Sequence, residues 1–134
     1  MSEPNPARDP GTIRSYHAHV YYDASTREVA EALRAEIVAR FPVEIGRMHD
    51  QPIGPHPQPM FEAAFAIAEL PNIVPWLMLN RSGLTILVHP NTDDAVLDHT
   101  THPLWLGTPV ALDAEFIRRY VESKRAAAAS ASAA

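Results

Sequence analysis

The spacing of apolar residues along this chain switches from two to about 3.6 and back, twice, and that order restricts the fold more than any other feature. Residues 14–22 alternate with period two and are rich in Tyr and Val, which predicts a strand. Ser25 then starts a helix, with Glu28 completing a capping box. Val29, Leu33, Ile37 and Phe41 recur at helical spacing until Pro42 ends the run. Residues 43–49, VEIGRMH, predict a second short strand. Residues 50–59, DQPIGPHPQP, hold four prolines and so form a stiff extended loop. Residues 60–70, MFEAAFAIAEL, read as a strand from the alternation of Phe61 and Phe65, with a helix as the competing reading favoured by the alanines. Residues 72–82 predict a helix between an Asn72 cap and Gly83, with Trp76, Leu77, Met78 and Leu79 assigned to the core. LTILVHP, residues 84–90, is β-branched and apolar and predicts a strand. Residues 93–106 leave room for a helical turn, and Asp113 caps a last amphipathic helix to about Arg125.

The order β-α-β-β-α-β is that of a ferredoxin-like split βαβ fold, an α+β antiparallel sheet with its helices on one face, here with a C-terminal helical extension. The other face is expected to stay open. The length of 134 residues suits one domain with its own core. The expected division is a flexible segment at 1–12, a single domain at 13–125 and a low-complexity tail or frayed helix extension at 126–134.

Strand parity then decides where the histidines point. On the first strand Tyr16, Ala18, Val20 and Tyr22 share one face, while His17, His19 and Tyr21 share the other. On the last strand Leu84, Ile86 and Val88 oppose Thr85, Leu87 and His89. The apolar sets belong against the helices, so His17, His19 and His89 project from the open face. In a split βαβ sheet the first and fourth strands are antiparallel neighbours, and the start of one lies beside the end of the other. Same-face residues two apart on a strand lie roughly 7 Å apart and cross-strand partners about 5 Å apart, so three imidazoles can converge on one ion. Glu62 has the same parity and could supply a carboxylate, which leaves three histidines and two histidines plus Glu62 both open. The absence of cysteine excludes thiolate ligands and leaves His, Asp and Glu as the strong ones.

Four other histidines need a place. His56 is held between Pro55 and Pro57, His49 ends the second strand with the parity of Arg47, and His99 and His102 lie in DHTTHPLWLG. That segment leaves the sheet near His89, so it could bring His102 beneath the cluster with Trp105 as an apolar wall, or it could merely pack the extension onto the domain. The formal net charge of -5 gives no electrostatic footprint for nucleic acid. No apolar run approaches the roughly 20 residues that span a bilayer. The first residues lack the basic and apolar regions of a secretory signal, so a cytoplasmic location is expected.

Taken together, HAHVYYD, QPIGPHPQPMFEAAF, WLMLNRSGLTILVHPNT and DHTTHPLWLG resemble the DOPA 4,5-dioxygenase family of small aromatic ring-cleaving enzymes, over roughly residues 15–113. The resemblance implies a ferredoxin-like fold and extradiol cleavage of a catechol such as DOPA with O2 and a non-haem metal, most simply Fe(II). It carries the family's histidine motifs onto His17, His19, His56, His89, His99 and His102. His17, His19, His89 and His56 are then the candidate metal ligands. His102, His49 and His56 are candidates for the acid–base group, with Tyr21 as a hydrogen-bond donor. Arg47 and Trp105 are candidates for substrate binding. An open sheet face carrying aromatic residues also predicts a homodimer. Two other functions fit the same fold: a non-catalytic dimeric module binding a small aromatic ligand or metal, and cofactor-free monooxygenation.

Overall fold

A computed structural model describes residues 6–133 of the chain. Five strands and four helices follow in the order β1 (Ser15–Tyr21), α1 (Arg27–Arg40), β2 (Glu44–Ile45), β3 (Met60–Phe65), α2 (Leu70–Asn80), β4 (Ile86–Asn91), α3 (Ala95–Thr100), β5 (Leu104–Leu106) and α4 (Ala114–Ala133). The sheet runs β2-β3-β1-β4-β5, antiparallel throughout. Its first four strands have the ferredoxin-like order, and β5 adds one strand beyond β4.

Period-two alternation does on β1, β3 and β4 what the sequence requires. Ala18, Val20, Tyr22, Phe61, Ala63, Phe65, Ile86 and Val88 face α1 and α2. Those helices answer with Ala30, Leu33 and Ile37, and with Ile73, Val74 and Leu77. This is the main core, and the burial of its apolar area is what chiefly holds the two helices to the sheet. A smaller cluster of Tyr21, Met60 and Leu87, packed by Trp105, Val110 and Leu112, lies on the reverse face.

Several boundaries differ from the sequence reading, each for a local reason. The α1 helix begins at Arg27, and no capping box forms at Ser25 and Glu28. The Asp23 carboxylate takes the turn instead, accepting from the Ser25 and Thr26 amides at 2.9 and 3.0 Å. The strand at 43–49 contracts to Glu44–Ile45 followed by a single bridge from His49 to Met60. The strand at 60–70 stops at Phe65, and a 3-10 turn at Ile67–Glu69 leads into α2 two residues before Asn72. Pro71 explains the early start, since a first-turn residue needs no intrahelical N–H partner. Ser82 and Gly83 both have positive φ, 55° and 80°, and turn the chain out of α2 as the expected terminator requires. Of the residues assigned to the core there, Leu77 is buried, but Leu79 is 87% exposed and Met78 faces outward with it.

The largest difference is on the histidine side, which does not stay open. The proline loop, α3 and α4 fold over it, with Phe116, Ile117 and Tyr120 of α4 facing the histidines across a cavity. Within α4 only the first turns are engaged: Ile117 is 4% exposed, whereas residues 122–131 are all exposed. The Asp113 amide donates to the Pro55 carbonyl at 2.9 Å, which ties the start of α4 to the loop. The α3 helix is fixed to the end of β4 by Asp98, 2% exposed, whose carboxylate accepts from the Thr92 amide at 2.8 Å and the Thr92 hydroxyl at 2.7 Å. No helix among the described residues is long and apolar enough to cross a membrane.

Asp98→Ala leaves the Thr92 donors without their acceptor. The expected result is a loss of about 1–3 kcal/mol of folding stability, read as a lower urea midpoint with unchanged slope. An unchanged midpoint would show that the clamp is dispensable.

Candidate active site

The register of β1 against β4 sets His17 directly opposite His89, and that of β1 against β3 sets His19 opposite Glu62. All four side chains leave the sheet on the face away from α1 and α2. One ring nitrogen from each of His17, His19 and His89 lies within 4.8 Å of the others, a spacing that can hold a metal ion. The Nε2 atoms of His19 and His89 are 3.1 Å apart. Two nitrogens each about 2.1 Å from one ion at a right angle would sit about 3.0 Å apart, so this pair already has the spacing of adjacent ligands.

The donor set fits a divalent cation. His89 Nδ1 donates to the Pro90 carbonyl at 2.9 Å, which leaves the Nε2 lone pair aimed at His19. His17 Nδ1 donates to Glu62 Oε1 at 3.0 Å, and the same oxygen lies 3.6 Å from His19 Nε2. Glu62 thus stands at the edge of the cluster, placed either to orient His17 or to bind an ion beside it. Its own pKa is lowered, chiefly by the His17 hydrogen bond. Among the described residues, His19 Nδ1 is the buried side-chain polar atom left without a hydrogen-bond partner. Such an atom costs stability and persists where the ring is needed for something besides packing.

Burial keeps His19, His56 and His89 neutral. His19 is held well below its ordinary 6.5, first by desolvation and then by His56 and His89 beside it. Burial lowers His89 to about 3, with the nearby His99 adding to the effect. His56 falls to about 4 for the same two reasons. A neutral imidazole carries the lone pair that a metal needs.

His56 reaches the cluster because the proline loop folds back across the sheet. Its ring centroid is 4.3 Å from that of His19, and its Nδ1 is hydrogen-bonded to the Tyr21 hydroxyl at 2.7 Å. Burial raises the Tyr21 pKa, so that hydroxyl keeps its proton. His99, on α3, packs its ring centroid 4.1 Å from that of His89 and donates from Nδ1 to the Ala95 carbonyl at 2.6 Å. The five histidines and Glu62 line a cavity of about 250 Å³ whose other wall is α4, with Tyr21 behind His56 and outside the lining.

The remaining candidates fall outside it. His102 lies against Arg8, 3.2 Å from Nε2 to Nη1, and lines a different cavity. His49 bridges to Met60 in the strand ladder, near enough to His56 to disfavour its protonation. Arg47 is exposed and acts on Asp50. Trp105 stacks on Tyr21 at 6.3 Å between centroids, on the histidine side but outside the cavity lining. The sequence reading favours His102 over His99 as the residue beneath the cluster, and the structure reverses that order. A helical α3, with Asp94 as its cap, is the signal that selects His99, because Ala95 and His99 then share one face.

The Dopa 4,5-dioxygenase family matches residues 16–116. The chain is 35% identical over 130 residues to an uncharacterized 21.2 kDa protein of Botryotinia fuckeliana, covering 88% of this chain and 71% of that one. It is 29% identical over 110 residues to a DOPA 4,5-dioxygenase of Amanita muscaria, covering 75% of this chain and 48% of the enzyme, about half its length. The crystal structure of a Nostoc punctiforme protein described as a candidate dioxygenase superposes with a TM-score of 0.84 at 52% identity, covering 85% of this chain and 99% of that one. With most of its length matched, and with His17 and His19 of β1, His56 of the proline loop, His89 of β4 and His99 of α3 gathered at one cavity, this chain belongs to the Dopa 4,5-dioxygenase family.

Proposed function

We propose that the protein is a non-haem Fe(II) dioxygenase that opens the ring of a catechol by extradiol cleavage. The observation that carries this reading is the convergence of His17, His19 and His89 within 4.8 Å at a cavity walled by aromatic residues. Three protein ligands on one side of an ion leave the other positions free. A divalent metal held by His17, His19 and His89 would supply Lewis-acid and redox chemistry toward a catechol and O2 at this cavity.

The chain's own groups do the rest. Glu62 orients the His17 ring through Nδ1, and the Pro90 carbonyl does the same for His89. Phe116 and Tyr120 offer ring faces to a flat substrate and exclude water from one side of the cavity. Tyr21 holds the His56 ring beside His19 through the contact of its hydroxyl with Nδ1 and leaves the far nitrogen free of that bond. His56 is neutral at neutral pH, and with Nδ1–H donating to the Tyr21 hydroxyl oxygen its Nε2 lone pair can take a catechol proton and return it as the ring opens. His102 and His49 have no such position. Burial of the histidine face is achieved within one chain, so site assembly asks for no residue from a partner; a homodimer is a separate proposal for the edges of the sheet.

Two measurements bear on this reading. His17→Ala, His19→Ala and His89→Ala are each expected to lose most bound metal, assayed on protein purified without chelating resin, while the far-ultraviolet circular dichroism stays native. Anaerobic loading with Fe(II), then a catechol and air, is expected to give a yellow semialdehyde, reduced at least about 100-fold by His56→Ala, the typical scale of acid–base catalysis. Colourless mixtures across a catechol panel would favour the binding module, and activity that survives chelator would favour cofactor-free monooxygenation.

The depressed histidine pKa values also fix the acid response of the metal-free protein. Above pH 6.5 neither the folded nor the unfolded chain protonates these rings. Below it the unfolded chain takes up protons that buried His19, His56 and His89 refuse, so stability falls as pH drops from 6.5 toward about 3. A urea midpoint that declines already between pH 6.5 and 5, above the carboxylate range, is the expected signature. A flat midpoint over that window would refute it.

A further inference from the structure

A second cavity, of about 400 Å³, lies on the opposite side of the sheet from the histidines. Its floor is Tyr16, Val88 and Pro90, which belong to the face covered elsewhere by α1 and α2. At this end of the face, of those two helices only the first residue of α2, Leu70, reaches the space. The segment Pro10–Ile13 crosses it instead, and Leu97 of α3 and Leu104 of β5 form the side walls. The space is of the size that holds small molecules, and its lining is mainly apolar with a few polar groups at the rim.

Those polar groups have a definite chemistry. Arg8 directs Nη1 to His102 Nε2 at 3.2 Å. Since the guanidinium can only donate, Nε2 of His102 is the acceptor in this contact. Among the described residues no carboxylate lies within ion-pair distance of Arg8. The two carboxylates at the rim are engaged by backbone amides: Asp9 accepts from Gly11 at 2.8 Å and Asp94 from Leu97 at 3.0 Å. A cation whose contact is an imidazole nitrogen rather than a carboxylate, at the mouth of an apolar space, suits an amphipathic anion. A carboxylate would replace the single bond to His102 with a charge-assisted, two-pronged one.

We propose that this cavity is a second binding site, taking a small aromatic monocarboxylate with its carboxylate on Arg8 and its ring between Tyr16, Leu97 and Leu104. The site lies directly behind the histidine cluster. Val88 and Pro90 flank His89 in sequence and line the second cavity, while His89 itself lines the first. The carbonyl that orients His89 belongs to Pro90, and α3 gives Leu97 to one cavity and His99 to the other. An occupant would therefore press on the strand and helix that hold two of the site's imidazoles. Binding here does not depend on the chemistry performed at the histidines.

The probe is 3-phenylpropionate, titrated calorimetrically into the full chain as purified. Saturable binding at one site is expected. Arg8→Gln should weaken it at least about tenfold, the scale of one charge-assisted hydrogen bond. Arg8 is exposed, so that variant should fold. Leu104→Trp, at a 45% exposed wall position, should block binding by filling the space. His17→Ala should leave the affinity unchanged. The neutral 3-phenylpropionamide should bind more weakly than the acid. Absence of saturable binding, an affinity indifferent to Arg8→Gln, or an affinity lost in His17→Ala would each overturn the proposal, the last by placing the acid in the histidine cavity.

Discussion

The pairing of β1 with β4 is the constraint on which the site depends. Two antiparallel ladders meet at β1, and their register places His17 opposite His89 and His19 opposite Glu62. Backbone hydrogen bonds fix that alignment, and the cost of slipping it by one residue enforces it. A slip would send Ala18 and Val20 to the histidine side and the imidazoles into the main core. The same packing that stabilises the fold therefore holds the ligand set in place, without strain and without a dedicated loop.

Burial does a second job in this arrangement. Packing α4, α3 and the proline loop over the histidines removes water from His19 and His89, and desolvation keeps those two rings neutral at the pH where a cation must be bound. It also raises the demand for hydrogen-bond partners. Most buried ring nitrogens find one: His89 at a carbonyl, His56 at Tyr21, His99 at a carbonyl one helical turn back. His19 Nδ1 finds none, and His19 is the ring on the central strand with His17, His56 and His89 around it. The polar imbalance is concentrated where a cation would be most useful.

The fold and half of the site were legible in the residues. The apolar parity of β1 and β4 and the helical spacing of Leu33 and Ile37 left few alternatives to a split βαβ sheet. The boundaries failed where local signals competed. Ser25 offers a capping pattern that Asp23 pre-empts, and the alanines of 60–70 conceal a strand that ends at Phe65. The three-residue strand β5 carries too short a pattern to be read. His99 is hard to tell from His102 in the sequence because a six-residue helix decides which of two histidines three positions apart turns toward the sheet.

What the sequence determined by itself was parity within each strand. Successive strand residues point to opposite faces as a matter of backbone geometry, so His17 and His19 share a side, and the apolar sets of β3 and β4 that must meet the helices leave Glu62 and His89 on that same side once the strands pair. What only the tertiary structure decided was closure. The proline loop brings His56 to the cluster, α4 roofs it, and the leading segment covers the far end of the other face. Those placements come from contacts between residues distant in the chain, whose energy is spread over packing and desolvation and leaves no periodic trace in the order of residues.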